Sequence, residues 1–292
     1  MYDICCIGHI TLDKVVTPES EVHMPGGTAF YFSNAVCNMD IHYRLVTAVA
    51  ETEMHFVTDL RKKNIEVSVL NSTHTVYFEN IYPENRDHRT QRVLQKANAF
   101  TAGQLDGVQS KIFHLGPLLA DDIPIELIKE LSKRGLVSLD VQGYLREVHN
   151  ENVHAIDWPA KKEILPYIHI LKANESEMEK LTGEKDAGTA AKILAGWGVK
   201  EVVITLGSLG SVLYADHIFY DIPAFKPASI VDATGCGDTY MAGYLYQRIK
   251  GTPLQYAGEF AAAMATCKIG SSGPFTGTAK EIEQIMKSGS PA

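Results

Sequence analysis

The chain has 292 residues and a formal net charge of −8 at neutral pH, long enough for one large α/β domain with an ample core. No basic cluster interrupts that acidity, so neither nucleic acid nor an anionic membrane is an expected partner, and no apolar run approaches the ~20 residues that span a bilayer. The five cysteines, Cys5, Cys6, Cys37, Cys236 and Cys267, are odd in number and lack metal-ligand spacing, which predicts reduced thiols rather than a disulfide framework. Met1 to Ile4 lacks a basic n-region and runs directly into a strand, so no signal peptide is expected and a cytoplasmic location is.

Residues 2–8 read as a short apolar strand that opens into a loop carrying Asp13. Ligands of open α/β sheets sit at such carboxyl ends. Pro25, Gly26, Gly27 and Thr28 lead into an apolar helix over 29–39, followed by a strand over 43–49 and a helix over 53–63. The texture then changes. Segments 66–70, 75–82 and 91–97 alternate or carry β-branched and aromatic residues, separated by polar turns at 71–72 and 83–87. Consecutive strands without helices between them predict an antiparallel piece outside a parallel sheet.

From residue 111 strands and helices alternate: strand 112–115, helix 124–134, strand 136–141, a loop through Arg146, and strand 168–172. Asn174 followed three residues later by Glu177 is a capping box, opening a helix that stops at Gly183. Helix 187–196 and strand 201–205 come next, then a glycine-rich turn with Gly207 and Gly210 that returns as a hairpin strand over 212–215. An Ala-rich helix over 257–268 ends in a breaker cluster at 269–274. Such alternation implies a parallel sheet covered on both faces.

Between that hairpin and the Ala-rich helix lies the segment 231–243. Gly235 and Gly237 flank Cys236 and precede small and apolar residues at helical spacing through Ile249. This is a glycine turn feeding the N-terminus of a buried helix, a ready site for a phosphate. A thiol there is expected to have a lowered pKa, without a catalytic role. Asp238 sits on the same turn, where it would repel an anion. Either it caps the helix, or it takes the proton of a hydroxyl that attacks the phosphate.

The string Asp-x-Thr-Gly-x-Gly-Asp-x-x-x-x-Gly, from Asp232 to Gly243, resembles the second signature of the ribokinase-like (PfkB-type) carbohydrate kinases. No Gly-Lys-Ser/Thr follows, so it is not a Walker A loop. The resemblance runs in order from Gly8 to Gly273. Gly26 and Gly27 match part of the first signature, but Tyr31 stands where many members carry Asn, and Asn34 comes three residues later; the run 26–34 looks more like the inositol-kinase branch.

The resemblance implies an α/β ribokinase-like fold: a mostly parallel central sheet flanked by helices, with a small antiparallel β lid from segments near 10–27 and 66–97, all in one domain over 1–292. It implies an ATP-dependent kinase acting on a hydroxyl of a sugar or polyol. Asp238 would be the base, and the amides of Gly235, Cys236 and Gly237 the anion hole. Asp13, Gly26, Gly27, Asn34, Arg92 and Asp140 would meet the acceptor, with Arg89, Gln91 and Arg146 near it. Asn174, Thr205, Gly207, Gly210, Thr234 and Gly270 would meet the nucleotide. Glu177 would hold Mg²⁺ through a water. Asp232 and Thr234, with backbone near Gly270, would hold a monovalent cation such as K⁺. A homodimer through the lid is the matching assembly. A nucleoside kinase of the same fold and a non-catalytic sugar- or nucleotide-binding regulator are the alternatives.

Overall fold

The computed structural model describes residues 1–82 and 90–288. Arg89 and the polar turn at 83–87 lie outside the described residues. The larger of two sheets has nine strands: β1 (Tyr2–Gly8), β4 (Tyr43–Val49), β5 (Glu66–Asn71), β8 (Ser110–Gly116), β9 (Leu136–Asp140), β12 (Ile170–Asn174), β13 (Glu201–Thr205), β14 (Ser211–Ala215) and β15 (Ile218–Ile222). The smaller has six: β2 (Thr11–Val16), β3 (Glu21–Gly26), β6 (Val76–Ile81), β7 (Thr90–Gln95), β10 (Arg146–His149) and β11 (Asn152–Ala155).

The large sheet runs β15-β14-β13-β12-β9-β8-β1-β4-β5, parallel apart from the final hairpin strands β14 and β15. Its inner strands are buried on both faces, so side-chain alternation divides them between two cores. In β1, Ile4 and Cys6 enter one core, and Cys5 and Ile7 the other. The first core receives α1 (Gly27–Val36), α2 (Met54–Lys62), α7 (Cys236–Lys250), α8 (Leu254–Ile269) and α9 (Ala279–Ser288). The second receives α3 (Ile125–Leu131), α4 (Lys161–Ile164), α5 (Glu175–Thr182) and α6 (Ala187–Gly196).

The smaller sheet, expected as the lid, runs β10-β11-β7-β6-β2-β3 and is antiparallel except where β2 lies parallel to β6. Its composition corrects the sequence expectation in two places. Segment 66–70 is not lid: β5 pairs parallel with β4 at the edge of the large sheet. The reason is α2, which makes β4-α2-β5 a crossover unit, and such a unit delivers its second strand parallel to the first. The hairpin β10–β11, which the sequence reading did not identify, supplies the lid's other end through the Asn152–Arg92 pairing.

The chain leaves β1 for β4 on one side and reaches β8 on the other. That strand-order reversal creates a crevice at the carboxyl ends, and the lid sequence departs from there. The ends of β1, β8, β9, β12 and β13 bring Gly8, Gly116, Asp140, Asn174 and Thr205 to one rim of the sheet.

Candidate active site

At the head of α7, Gly235 takes the left-handed conformation, φ 77°, and a Cβ there would lie 2.1 Å from the Tyr31 ring. Only glycine allows the turn and the ring to meet. Cys236 N–H donates to the Ala233 carbonyl at 3.2 Å, so this amide is spent inside the turn, which corrects its expected place in the anion hole. Helix geometry leaves the N–H groups of Gly237 and Asp238 without an intrahelical acceptor. They carry the positive end of the helix dipole. Farther along α7, Tyr240 bonds to Ser211 at 2.7 Å and Tyr244 to Glu201 at 2.7 Å, anchoring the helix to the sheet.

Asp238 lies in the first turn, on the crevice side. Burial first, then the Asp140 carboxylate, pushes its pKa from 3.8 up to about 6, against the opposing Lys172 ammonium and a hydrogen bond from the Thr28 hydroxyl. Thr28 itself is buried in the first turn of α1. A carboxylate set this way beside unpaired amides can accept a proton near neutral pH while the amides face an anion.

Beneath the turn lies a group that the sequence reading did not single out. Lys172, on β12, donates to Asp140 at 2.9 Å and stands 3.8 Å from Glu177. A Cβ on Gly237 would come within 3.2 Å of its ammonium. Desolvation works to lower the Lys172 pKa, but Asp140 and Glu177 outweigh it and the net shift is upward. Burial raises Glu177. The capping box is formed as expected: Glu177 N–H donates to Asn174 Oδ1 at 2.9 Å, and Asn174 N–H to Glu177 Oε2 at 2.8 Å. The strand pairing puts Thr205 beside Asn174.

On the lid side, Asp13 accepts from Thr11 at 2.6 Å, and a Cβ on Gly26 would strike its carboxylate. Gly27 follows in the left-handed conformation, φ 82°, as the first residue of α1. Tyr31, buried against Gly235, has its phenol pKa raised by burial and then by the carboxylates of Asp232, Asp13 and Asp238. This ring, and not an amide side chain, lies on the turn at Gly235 and within electrostatic reach of Asp13. A hollow of about 270 Å³ lined by Leu12, Ala50, Glu53, Thr75, Tyr77 and Gln95 among others contains none of these groups.

Several expected contacts are not brought to the crevice. Asn34 is fully buried, donating to Phe30 O at 2.9 Å and accepting from Lys63. Arg92 forms ion pairs within the lid, to Glu79 at 2.9 Å and to Glu151, while Gln91 bonds to Asn80. Asp140 uses one oxygen on Lys172 and the other on Gln142 N–H, so it supports the site from below. The Cys236 thiol rises to about 11 instead of falling, because burial outweighs the nearby Lys268 charge. Gly207 forms a short turn after β13, and Gly210 packs on Ile222 and Ala224.

The monovalent-cation expectation meets a different occupant. Lys268 near the end of α8, fully buried, places its ammonium 2.8 Å from Asp232 O, 3.3 Å from Asp232 Oδ2 and 3.2 Å from Ser271 O. Gly270 follows it as the helix cap. Thr234 N–H bonds to Asp232 Oδ1 at 2.9 Å.

A sequence profile described as pfkB family carbohydrate kinase matches residues 2–281. The chain belongs to that family. It is 30% identical over 271 residues to the cytidine kinase of Thermococcus kodakarensis, covering 87% of this chain and 91% of that one. A solved pyrophosphate-dependent kinase of the ribokinase family, complexed with a pyrophosphate analogue and myo-inositol, matches with a TM-score of 0.88 at 28% identity, over 97% of this chain and 100% of the other. The Arabidopsis thaliana ribokinase complexed with ribose and ATP shares the fold, with a TM-score of 0.80 at 21% identity over 98% and 99% of the two chains. The fold is therefore ribokinase-like, and the chain is a phosphotransferase of the sugar and nucleoside kinase class. Among the described residues no helix is long and apolar enough to cross a membrane.

Proposed function

We propose that this kinase phosphorylates a hydroxyl of a polyol or sugar, with myo-inositol as first acceptor and ATP as donor. The observation that carries the reading is Asp238: a desolvated carboxylate with a pKa of about 6, held by Thr28 beside the amides that open α7. As the acceptor oxygen bonds to the γ-phosphorus and the bond to the leaving diphosphate breaks, the hydroxyl proton passes to Asp238. The Gly237 and Asp238 amides face the charge on the transferring group. Asp13, Gly26 and Gly27 line the acceptor side; Asn174, Thr205, Gly207, Gly210, Thr234 and Gly270 line the donor side. Closure of the lid excludes water, the competing acceptor.

Among the described residues no cluster of three or more His, Cys, Asp or Glu side chains could hold a metal by itself. That fits Mg²⁺, which keeps several waters and arrives on the phosphates. It would neutralise their charge, and Glu177 would hold one of its waters. A homodimer through the lid belongs to the same reading, with exposed Val22 of β3 as an outward apolar contact; sedimentation as a monomer rules it out.

Two features favour second readings at the same site. Similarity to a cytidine kinase over most of the chain supports a nucleoside acceptor, and similarity to a pyrophosphate-dependent kinase supports pyrophosphate as donor. The Tyr31 ring, close to both Asp13 and Asp238, suits a compact acceptor. Donor-consumption assays with ATP and with pyrophosphate, across inositols, hexoses, pentoses and nucleosides, separate the readings. Turnover on cytidine and on no polyol would overturn the acceptor proposed, and turnover with pyrophosphate alone would overturn the donor.

A further inference from the structure

Of the groups expected to hold a monovalent cation, Asp232 and the backbone beside Gly270 already face a cation of the chain's own, the Lys268 ammonium. This ammonium has three N–H donors, and three oxygens meet them: Asp232 O, Asp232 Oδ2 and Ser271 O, at 2.8, 3.3 and 3.2 Å. The side chain is fully buried. An ammonium and K⁺ have the same charge and similar size, and both seek a shell of carbonyl and carboxylate oxygens. Lys268 also lies in the last turn of α8, where the helix dipole favours a cation.

We infer that Lys268 is a tethered internal cation, and that this kinase works without the monovalent cation its fold otherwise accommodates. The inference rests on the kinase reading only for its consequence on rate. The connection to that rate is short. Val231 and Asp232 donate their N–H groups to Ile269 O at the end of α8, and Lys268 clamps Asp232 from the same helix end. Asp232 in turn accepts from Thr234 N–H, one residue before the left-handed Gly235 that aims the amides of α7. Lys268 is thus a positioning residue for the anion-facing turn. A covalently held cation cannot dissociate, so the turn keeps its shape whatever the ionic composition of the medium.

The test compares wild type with Lys268→Met in K⁺, NH₄⁺, Na⁺ and tetramethylammonium chlorides at equal ionic strength, reading both kcat and the melting temperature. Wild type should show the same kcat and Tm in all four. Lys268→Met should lose roughly 10-fold or more in kcat, as the amides lose their alignment. K⁺ or NH₄⁺ should recover part of that loss and raise the variant's Tm, whereas tetramethylammonium, too large for the oxygen cage, should do neither. A purely structural lysine would give a variant whose defects no small cation repairs, and that result overturns the inference. So does wild-type enzyme that K⁺ activates or stabilises over tetramethylammonium, an arm that needs no folded variant. The Tm arm needs no acceptor, so a wrong acceptor assignment leaves it intact and shows separately as absence of turnover.

Discussion

Two buried lysines flank the turn at the head of α7, and they are held in opposite ways. Lys172 lies among carboxyl groups: Asp140 at 2.9 Å, Glu177 at 3.8 Å and Asp238 beyond. Lys268 faces mainly backbone carbonyls, with one carboxylate oxygen at 3.3 Å. The difference lies in what each can tune. A lysine inside a carboxylate cluster sets the proton affinity of its neighbours, because every charge in a desolvated cluster is felt by the others. A lysine in a carbonyl cage sets backbone shape. One governs when Asp238 is ionised, and the other where the amides point.

The largest expected effect removes the group between them. Asp238→Asn should lower kcat by ~10²–10⁴-fold with nucleotide affinity largely kept, as measured by steady-state rates beside calorimetric titration of the donor. Full activity in the variant would remove Asp238 from the chemistry. Next comes Lys172→Met. Leaving Asp140 and Glu177 buried without their cation should destabilise the fold by about 3–5 kcal/mol, read by urea unfolding. The same change should move the acid limb of the kcat/KM profile upward from its wild-type position near 6, since Lys172 is the charge that, ahead of the Thr28 hydrogen bond, lowers the Asp238 pKa. Lys268→Met should leave that limb in place, and a shift of equal size in both variants would break the comparison.

The sequence makes the turn and the cap far more legible than the two lysines. Asp238, Gly235 and Gly237 fall in one contiguous string, and Asn174 with Glu177 in another, so local spacing exposes both the turn and the cap. Lys172 and Lys268 act through contacts made by folding. Lys268 stands 36 residues from Asp232, and no periodicity reveals that the two meet. A signal was nevertheless present for each. Lys172 interrupts an apolar strand, and Lys268 closes an Ala-rich helix, and a charge buried in either element needs a partner. Tyr31 was visible as a departure from the family pattern, but that its ring lies on Gly235 depends on how α1 approaches α7. The lid was half legible, because β5 alternates like a lid strand and only the crossover through α2 assigns it to the large sheet.

A smaller effect concerns stability and carries its own sign. The folded pKa of Asp238, about 6, lies above the ordinary 3.8, so the native state binds this proton more tightly than the unfolded chain does. Ionised Asp238 therefore costs stability above pH 6, and the cost disappears as pH falls from about 6 towards 4. Asp238→Asn, neutral at every pH, should be more stable than wild type by up to roughly 2–3 kcal/mol at pH 7.5. That advantage should shrink through the same window and vanish near pH 4. An unfolding series with equal stabilities at every pH would mean that Asp238 is not desolvated in solution.

The smallest effect separates cap from chemistry on the other side of Lys172. Asn174→Ala removes the acceptor of the Glu177 N–H bond and should cost about 1 kcal/mol, while Asn174→Asp restores the cap and should restore the melting temperature. If Asn174 only starts α5, the Asn174→Asp variant regains full activity as well. If its amide also faces the donor, that substitution places a carboxylate beside the phosphates, and KM for the donor stays raised although the fold is repaired. Stability recovered without donor affinity would show that the carboxylate cluster around Lys172 and the donor side share a residue. That would extend the role of this lysine region from setting a proton affinity to shaping where the phosphates can lie, a task otherwise left to Lys268.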